Sequence, residues 1–247
     1  MMRVALCLSG QARGVDKTWD GFLKYIINPT NCDIFISFAN DTSLTNFGNV
    51  EEWTFTELEF IKDPSLEYLY SIARGKTEYI RHLGQMGQEC SNLAVLRQFY
   101  YINRANNMKI EYEKKNEFVY DWVIRSRADI IINSGIGDLS KLDNNYVYSP
   151  DTNTHDGLND MFAFGSSKNM DIYSDRIGEI KKIESPPFPF YNPHVELKYI
   201  LDKNNIPLRF ISLDVEKELS WRGEKSINVF KYYGEHGEHI IRERLNE

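Results

Sequence analysis

Cysteine is scarce in the sequence: Cys7, Cys32 and Cys90 stand far apart, and no two of them form a CxxC pair. This spacing argues against a zinc site of the ribbon type and predicts reduced thiols. No apolar run approaches the ~20 residues of a membrane span. The first ten residues also lack the pattern of a secretory signal peptide. We therefore expect a soluble, cytoplasmic protein.

Positive charge is scarce as well, because 29 Lys and Arg stand against 36 Asp and Glu, for a formal net charge of −7. A general nucleic-acid binder needs a basic surface, so no nucleic-acid partner is expected, although a local basic pocket remains compatible with this composition. Two nucleotide-binding patterns, GxxxxGK[ST] and GxGxxG, are also missing.

What the sequence does contain is a core. Hydrophobic residues make up 42% and aromatic residues 13% of the 247 residues, which is enough for one large domain. The chain shows no internal repeat and no linker long enough to divide it. We predict one domain over residues 1–213, with a charged tail over 214–247 that packs on the domain or extends it.

The first apolar run, from Val4 to Leu8, is typical of a central parallel strand buried on both faces. It ends in the small polar loop Ser9–Gly14, where Gly10 would let backbone N–H groups approach a phosphate or ribose. An ordinary strand-to-helix turn would give the same pattern, so both interpretations stay open.

A second apolar run, from Cys32 to Phe38, follows a helix predicted over Asp16–Ile27 and ends at Asn40. The order strand, loop, helix, strand favours a parallel sheet with right-handed crossovers. In such sheets ligands bind outside the carboxyl ends of the strands, which is where both polar loops fall.

The most informative stretch runs from Tyr120 to Asn133, where Arg125, Arg127 and Asp129 interrupt an apolar strand pattern. Alternate residues of a strand share a face, so the three charges would lie together. Buried charges are costly unless they are paired. Either Asp129 pairs with Arg127 in a structural cluster, or the strand ends at a cleft. In the second case Arg125 and Arg127 hold phosphate and Asp129 holds a divalent metal.

Three further candidates lie elsewhere along the chain. A helix predicted over Ser91–Lys115 begins near Arg97, which faces either the same cleft or solvent. Asp160 opens an apolar run after a polar loop, where it either touches substrate or bonds loop amides. A helix predicted over Pro193–Lys203 carries Glu196 in its first turn, together with His194, which we interpret as a cap or surface residue.

Four segments of the sequence together resemble the small GT-A-type glycosyltransferases of large DNA viruses, phages and bacterial surface-polysaccharide clusters. The resemblance covers roughly residues 2–210, and its most specific parts are the loop Ser9–Arg13 and the segments Arg125–Asp129 and Asp160–Ser166. The four segments read Cys-Leu-Ser-Gly-Gln-Ala-Arg-Gly, Cys-Asp-Ile-Phe-Ile-Ser, Tyr-Asp-Trp-Val-Ile-Arg-Ser-Arg-Ala-Asp and Leu-Asn-Asp-Met-Phe-Ala-Phe-Gly-Ser-Ser.

This resemblance implies an α/β, GT-A-like fold: a mainly parallel mixed sheet flanked by helices in a single domain. It implies a metal, Mn²⁺ or Mg²⁺, at Asp129. Arg127 stands where such enzymes carry the first Asp of Asp-x-Asp, and an arginine can neutralise a diphosphate without a metal. The residues expected to bind a nucleotide sugar at the carboxyl edge of the sheet are Ser9, Gly10, Gln11, Arg13, Asn40, Arg97, Arg125 and Arg127.

The activity implied is transfer of a sugar from a nucleoside-diphosphate donor to a hydroxyl of a glycan or glycoconjugate acceptor. We expect inversion, with a carboxylate as general base; Asp160 is the first candidate, Glu196 the second and Asp156 the third. Two alternatives remain. One is a nucleotide-sugar-binding protein without catalysis, and the other is a different nucleotide-dependent transferase, such as a methyltransferase on a doubly wound sheet.

Overall fold

The computed structural model describes residues 2–12, 14–40, 55–73, 92–182 and 192–213, and the backbone of 215–219, 226–228, 230–233 and 238–241. The helices are α1 (Val15–Phe22), a π-helical segment (Leu23–Ile27), α2 (Asn28–Thr30), α3 (Leu66–Ala73), α4 (Asn92–Lys115), α5 (Ser167–Ser174), α6 (Arg176–Lys182) and α7 (Pro193–Lys203), with a 3-10 turn at Leu139–Lys141. The strands are β1 (Val4–Gly10), β2 (Asp33–Ala39), β3 (Glu57–Ile61), β4 (Trp122–Arg127), β5 (Ile130–Ile132), β6 (Val147–Pro150), β7 (Phe162–Gly165), β8 (Leu208–Ile211), β9 (Val215–Leu219), β10 (Ser226–Asn228), β11 (Phe230–Tyr233) and β12 (Glu238–Ile241).

Seven strands form the main sheet in the order β3-β2-β1-β4-β7-β6-β8. Strands β1 to β4 run parallel along this order, whereas β7 is antiparallel to both of its neighbours, β4 and β6. β6 and β8 are parallel to each other. The predicted α/β fold, a mainly parallel mixed sheet flanked by helices, is confirmed.

Both faces of the sheet are covered, because alternate residues of the central strands enter different cores. Leu6 and Leu8 of β1 pack with Trp19 and Phe22 of α1 on one face. On the other face, Ala5 and Cys7 join residues of three helices, which are Ala105 and Met108 of α4, Met170 and Tyr173 of α5, and Leu197 of α7. β1 is therefore the buried centre of the molecule.

The stretch predicted as one interrupted strand is in fact two strands in two sheets. β4 ends at Arg127, a turn follows, and β5 pairs with β9 outside the main sheet. The expectation that Arg125, Arg127 and Asp129 share one strand face is therefore wrong, because Asp129 lies in the turn. Helix α1 fixes this turn, since Thr18 Oγ1 donates a hydrogen bond of 2.7 Å to the Ala128 carbonyl.

Other predicted boundaries need smaller corrections. The first helix does not stop at Asn28 but continues through the π-helical segment and ends where Asn31 adopts a left-handed conformation, with φ 48°. The sequence pattern predicts one helix over residues 168–177, but the structure has two, α5 and α6, that meet at Asp175. The helix predicted over Pro193–Lys203 is confirmed.

Beyond residue 213 the chain contributes β9 to the small sheet. The domain boundary at 213 stays a prediction. Within the ranges that the structure describes, no helix is long and apolar enough to span a bilayer.

Candidate functional site

Three segments that are far apart in sequence meet at the carboxyl edge of the main sheet. Ser9, near the end of β1, is the register partner of Arg127 at the end of β4. β7 runs antiparallel to β4, so the residues that precede it lie at the same edge, and Arg127 donates its backbone N–H to the Met161 carbonyl at 2.9 Å. The topology thus brings Ser9, Arg127 and Asp160 into one region.

The loop after β1 has features suited to close approach of a ligand. Gly10 has φ +114°, a conformation that L side chains rarely adopt, and a Cβ there would have no non-neighbouring atom within 4 Å. Ser9 is 3% exposed, and its Oγ has no hydrogen-bond partner in the described part of the chain. Gln11 and Asn40, the predicted residues after β1 and β2, are both exposed. Arg13 lies outside the described residues.

Arg127 and Asp129 form a two-pronged ion pair across the turn. Arg127 Nε donates to Asp129 Oδ1 at 2.7 Å, and Nη2 donates to Oδ2 at 2.6 Å. The Arg127 side chain is 21% exposed, whereas that of Asp129 is 6% exposed. The structure therefore contains the pairing that was one of the two interpretations of this segment.

This pairing bears on the predicted metal. Both carboxylate oxygens of Asp129 accept from Arg127, and the described residues include no group of three or more His, Cys, Asp or Glu side chains placed to hold an ion. Divalent cations need several oxygen ligands. The described residues do not fit a divalent cation at Asp129, so the metal stays an untested prediction.

Two arginines are buried beneath this edge. Arg125, only 1% exposed, donates Nη1 to the Asp160 carbonyl, while its Nε and Nη2 find no acceptor among the described residues. Arg176, at the start of α6, is 0% exposed and lies against the rings of Phe99 and Tyr173, at 5.1 and 5.0 Å. Burial lowers the pKa of Arg125 to about 10, so its guanidinium group is still charged at neutral pH.

Asp160 is the carboxylate beside these arginines. It is 4% exposed, and its Oδ2 accepts from Gln98 Nε2 of helix α4 at 2.5 Å. Burial raises its pKa, but attraction to His194, Arg176, Arg125 and Arg127 outweighs burial and lowers the pKa to about 2. Asp160 is therefore a carboxylate at any working pH and a weak base at pH 7. Its predicted role as general base stays untested.

The loop from Asp151 to Met161 holds Asp160 in place. Asn159 is fully buried; its Oδ1 accepts the Met161 N–H at 2.8 Å, and its Nδ2 donates to the Thr152 carbonyl at 2.9 Å. Three non-glycine residues of this loop have left-handed φ angles, namely Asn153, His155 and Asp156. Such strained conformations persist where surrounding contacts enforce them, and they cluster at functional sites.

His194 faces this loop from the first turn of α7. Its Nδ1 lies 2.7 Å from the Leu158 carbonyl, and its Nε2 lies 3.6 Å from Asp160 Oδ1. Gly157 allows the close approach, since a Cβ there would lie 2.1 Å from the His194 carbonyl oxygen. The interpretation of His194 as a helix cap is wrong, because Asn192 caps α7 by accepting the His194 and Val195 N–H groups. We call Arg125, Asp160, Arg176 and His194 the arginine cluster.

The remaining predicted residues are more scattered. Glu196 is 0% exposed within α7, Asp156 is exposed, and Arg97 pairs with Asp63 at 3.0 Å beyond β3. Sequence reasoning missed the roles of three residues, which are Gln98, Arg176 and His194. The sequence carries a weak signal for His194, because Asn192-Pro193 predicts a helix start and so places His194 in the first turn of the helix.

The chain belongs to the family described as "Domain of unknown function (DUF7796)", whose model matches residues 1–214. A comparison with curated proteins gives no match.

Two solved structures are similar in architecture. Mouse xyloside xylosyltransferase 1, in its apo form, is 8% identical over 85% of this chain and 85% of its own, with a TM-score of 0.45. The apo glycosyltransferase GlyE of Streptococcus pneumoniae TIGR4 is 11% identical over 85% of this chain but 45% of its own, with a TM-score of 0.43. Scores at this level leave the activity of this chain open.

Proposed function

We propose that this protein is a glycosyltransferase that moves a sugar from a nucleoside-diphosphate donor to a hydroxyl of a glycan or glycoconjugate acceptor. The observation that carries the proposal is the meeting of three distant segments at one sheet edge. Ser9 lies in register with Arg127, Arg127 is bonded to Met161, and Arg125 is bonded to Asp160. These are the segments on which the sequence resemblance to GT-A enzymes rests.

Glycosyl transfer places two demands on such a site. Negative charge that develops on the leaving diphosphate needs donors and cations, and the acceptor hydroxyl must lose a proton. Arg127, part-exposed at the sheet edge, and the open backbone at Gly10 supply the first. The second falls to the region around Asp160. Attack by the acceptor opposite the leaving group would invert the configuration at C1.

Arginine is the proposed means of neutralising the diphosphate. A guanidinium binds phosphate oxygens through two parallel hydrogen bonds and needs no metal for this. The Asp129 carboxylate orients Arg127 through both of its oxygens. A divalent ion at Asp129 would have to displace that ion pair.

Donor binding and turnover test the proposal together. The protein is screened by thermal shift against UDP-, GDP-, dTDP- and CMP-sugars, and release of the nucleotide is then measured with p-nitrophenyl glycosides as acceptors. We expect one nucleoside-diphosphate sugar to raise the melting temperature and to be turned over. Arg127→Gln should weaken both effects, whereas Arg104→Gln, which breaks another two-pronged pair, with Glu59, should not.

The alternatives predict other outcomes. Binding of a nucleotide sugar without release of nucleotide would identify a binding protein. A thermal shift with S-adenosylmethionine alone would favour a methyltransferase. A response restricted to CMP-sugars, or to no sugar nucleotide, would contradict the proposed diphosphate donor.

A further inference from the structure

The gap between His194 and Asp160 has a chemical consequence. A carbonyl oxygen can only accept a hydrogen bond, so the contact with Leu158 requires the proton of a neutral His194 ring to be on Nδ1. Nε2 then carries a lone pair and faces the carboxylate oxygen Oδ1 of Asp160 at 3.6 Å. Two acceptors at this distance cannot bond each other, but a hydroxyl that lies beside the pair is within donor reach of both.

From this geometry we propose that His194 Nε2 is the general base of the transfer, and that Asp160 acts through His194 as the carboxylate that stabilises the protonated ring. The inference rests on the proposed glycosyltransferase function. It replaces a carboxylate base with a histidine, and it identifies the acceptor hydroxyl as the donor that lies beside Nε2 and Oδ1, within reach of both. The His194 side chain is 15% exposed, so part of it is accessible to a ligand.

The proposed step is balanced as follows. The acceptor oxygen forms a bond to C1 of the donor sugar while its proton moves to His194 Nε2. The bond between C1 and the diphosphate oxygen breaks, and the nucleoside diphosphate leaves with the electron pair. The imidazolium next to Asp160 then releases its proton to solvent, which restores the neutral ring for the next turnover.

The surroundings of His194 suit this role. Burial lowers its pKa, Asp160 and the hydrogen bond to the Leu158 carbonyl raise it, and His155 and Arg176 lower it, with a net result below the usual 6.5. The ring is therefore neutral and able to accept a proton at pH 7. Asp160 is ionised around neutral pH, and its negative charge stabilises the imidazolium that forms when His194 takes up a proton. The Gln98 amide holds the other carboxylate oxygen, so Oδ1 is the one directed to the ring.

A matched set of variants tests the assignment. His194→Asn keeps an N–H able to reach the Leu158 carbonyl but removes the base, and His155→Ala removes the neighbouring ring, 4.6 Å away. Turnover of the responding sugar nucleotide with p-nitrophenyl glycosides is followed from pH 5 to 9. We expect the wild-type protein to lose activity as the pH falls through the pKa of His194. His194→Asn should lose activity by about 100-fold or more and lose this acid limb, yet still show the thermal shift with the donor.

Asp160→Asn should change the pH profile of turnover, which a purely structural role of Asp160 would leave unchanged. Because the Asp160 charge raises the pKa of His194, its removal should move the acid limb to lower pH while turnover falls. His155→Ala should keep the turnover and move the acid limb the other way, to slightly higher pH, because His155 lowers the pKa of His194.

Turnover by the wild-type protein, with full activity and an unchanged acid limb in His194→Asn, would overturn this inference and leave the glycosyltransferase proposal intact. No turnover by the wild-type protein with any sugar nucleotide would overturn both.

Discussion

Two buried ionic clusters in this molecule are built differently. In the first, Lys109 of α4 is 0% exposed, and its ammonium group has three acceptors. These are Glu113 at 3.0 Å, Ser167 at 2.7 Å and Asp171 at 2.7 Å. Lysine has three donors, so every one is used. We call these four residues the Lys109 cluster.

The arginine cluster is the second, and its donors are not used up. Within the described part of the chain, two nitrogen atoms of Arg125 and two of Arg176 lack a hydrogen-bond acceptor. The central cations of both clusters, Lys109 in one and Arg125 and Arg176 in the other, are all at most 1% exposed, so burial of the cation does not separate the clusters. In the Lys109 cluster every ammonium donor is used, so the cluster has no donor for a ligand and serves to join helices α4 and α5. In the arginine cluster the positive charge of Arg125 and Arg176 stabilises the ionised form of Asp160, which the proposed chemistry needs.

The largest effect expected from this comparison is on stability, at the Lys109 cluster. Lys109→Met keeps much of the side-chain volume but leaves Glu113 and Asp171 without their cation. Removing one partner of a buried ion pair costs about 3–5 kcal/mol, so urea denaturation should show a loss of that size. Lys198→Met is the control, because Lys198 and Asp202 form an i,i+4 pair of the same kind at the surface, 2.9 Å apart. Its expected cost is below about 1 kcal/mol. Equal losses would contradict the distinction between the clusters.

The next effect is on activity, at the arginine cluster. Asp160→Asn should lower turnover by about 100-fold, because the protonated state of His194 loses its counter-charge. Asp202→Asn, an exposed carboxylate on the same helix as His194, is the control for general effects of charge and should keep full turnover. Full activity in Asp160→Asn would remove the cluster from the chemistry.

The dependence of stability on acid pH tests whether the arginine cluster holds Asp160 in its ionised form. The folded-state pKa of Asp160 lies at about 2, below the ordinary 3.8, so its contribution to stability is present above 3.8 and is lost as the pH falls towards 2. The free energy of unfolding, measured by urea denaturation between pH 5 and 2, should therefore fall less steeply in Asp160→Asn than in the wild-type protein. An unchanged slope would mean that Asp160 is not held ionised by its neighbours.

Whether a feature can be predicted from the sequence depends on how far apart in the chain the contacting residues lie. The apolar runs at Val4–Leu8 and Cys32–Phe38 predict buried strands because local pattern decides them. The pairing of Arg127 with Asp129 was also foreseen as one of two interpretations, since the two residues are only two apart.

The arginine cluster could not be foretold in this way. Arg125, Asp160, Arg176 and His194 come from β4, the loop before β7, α6 and α7, and no spacing along the chain links them. Even the break between α5 and α6, which directs Arg176 inward, went unpredicted because a helix pattern continues across it. Tertiary packing alone makes these charges neighbours.

A smaller effect concerns Arg127 itself. If its guanidinium binds the leaving diphosphate, Arg127→Gln removes a charge-assisted hydrogen bond, worth about 1.5–3 kcal/mol or roughly tenfold or more in turnover. Arg104→Gln breaks a pair of the same geometry, with Nε–Oε1 at 3.0 Å and Nη2–Oε2 at 2.5 Å, and is the control. Similar turnover in the two variants would mean that Arg127 serves only to hold its own turn.

The smallest expected effect is that of removing metal. Because both oxygens of Asp129 accept from Arg127, turnover in excess EDTA should fall by less than about twofold. Arg127→Gln makes this test sharper, since it removes the two hydrogen bonds from Arg127 to the Asp129 carboxylate and should make any residual activity respond more strongly to added Mn²⁺. Strong stimulation of the wild-type protein by Mn²⁺ would instead mean that a metal displaces Arg127 from Asp129. The Arg127–Asp129 ion pair would then be the metal-free state of a metal site. This turn, like the arginine cluster and unlike the Lys109 cluster, would then be able to bind a ligand.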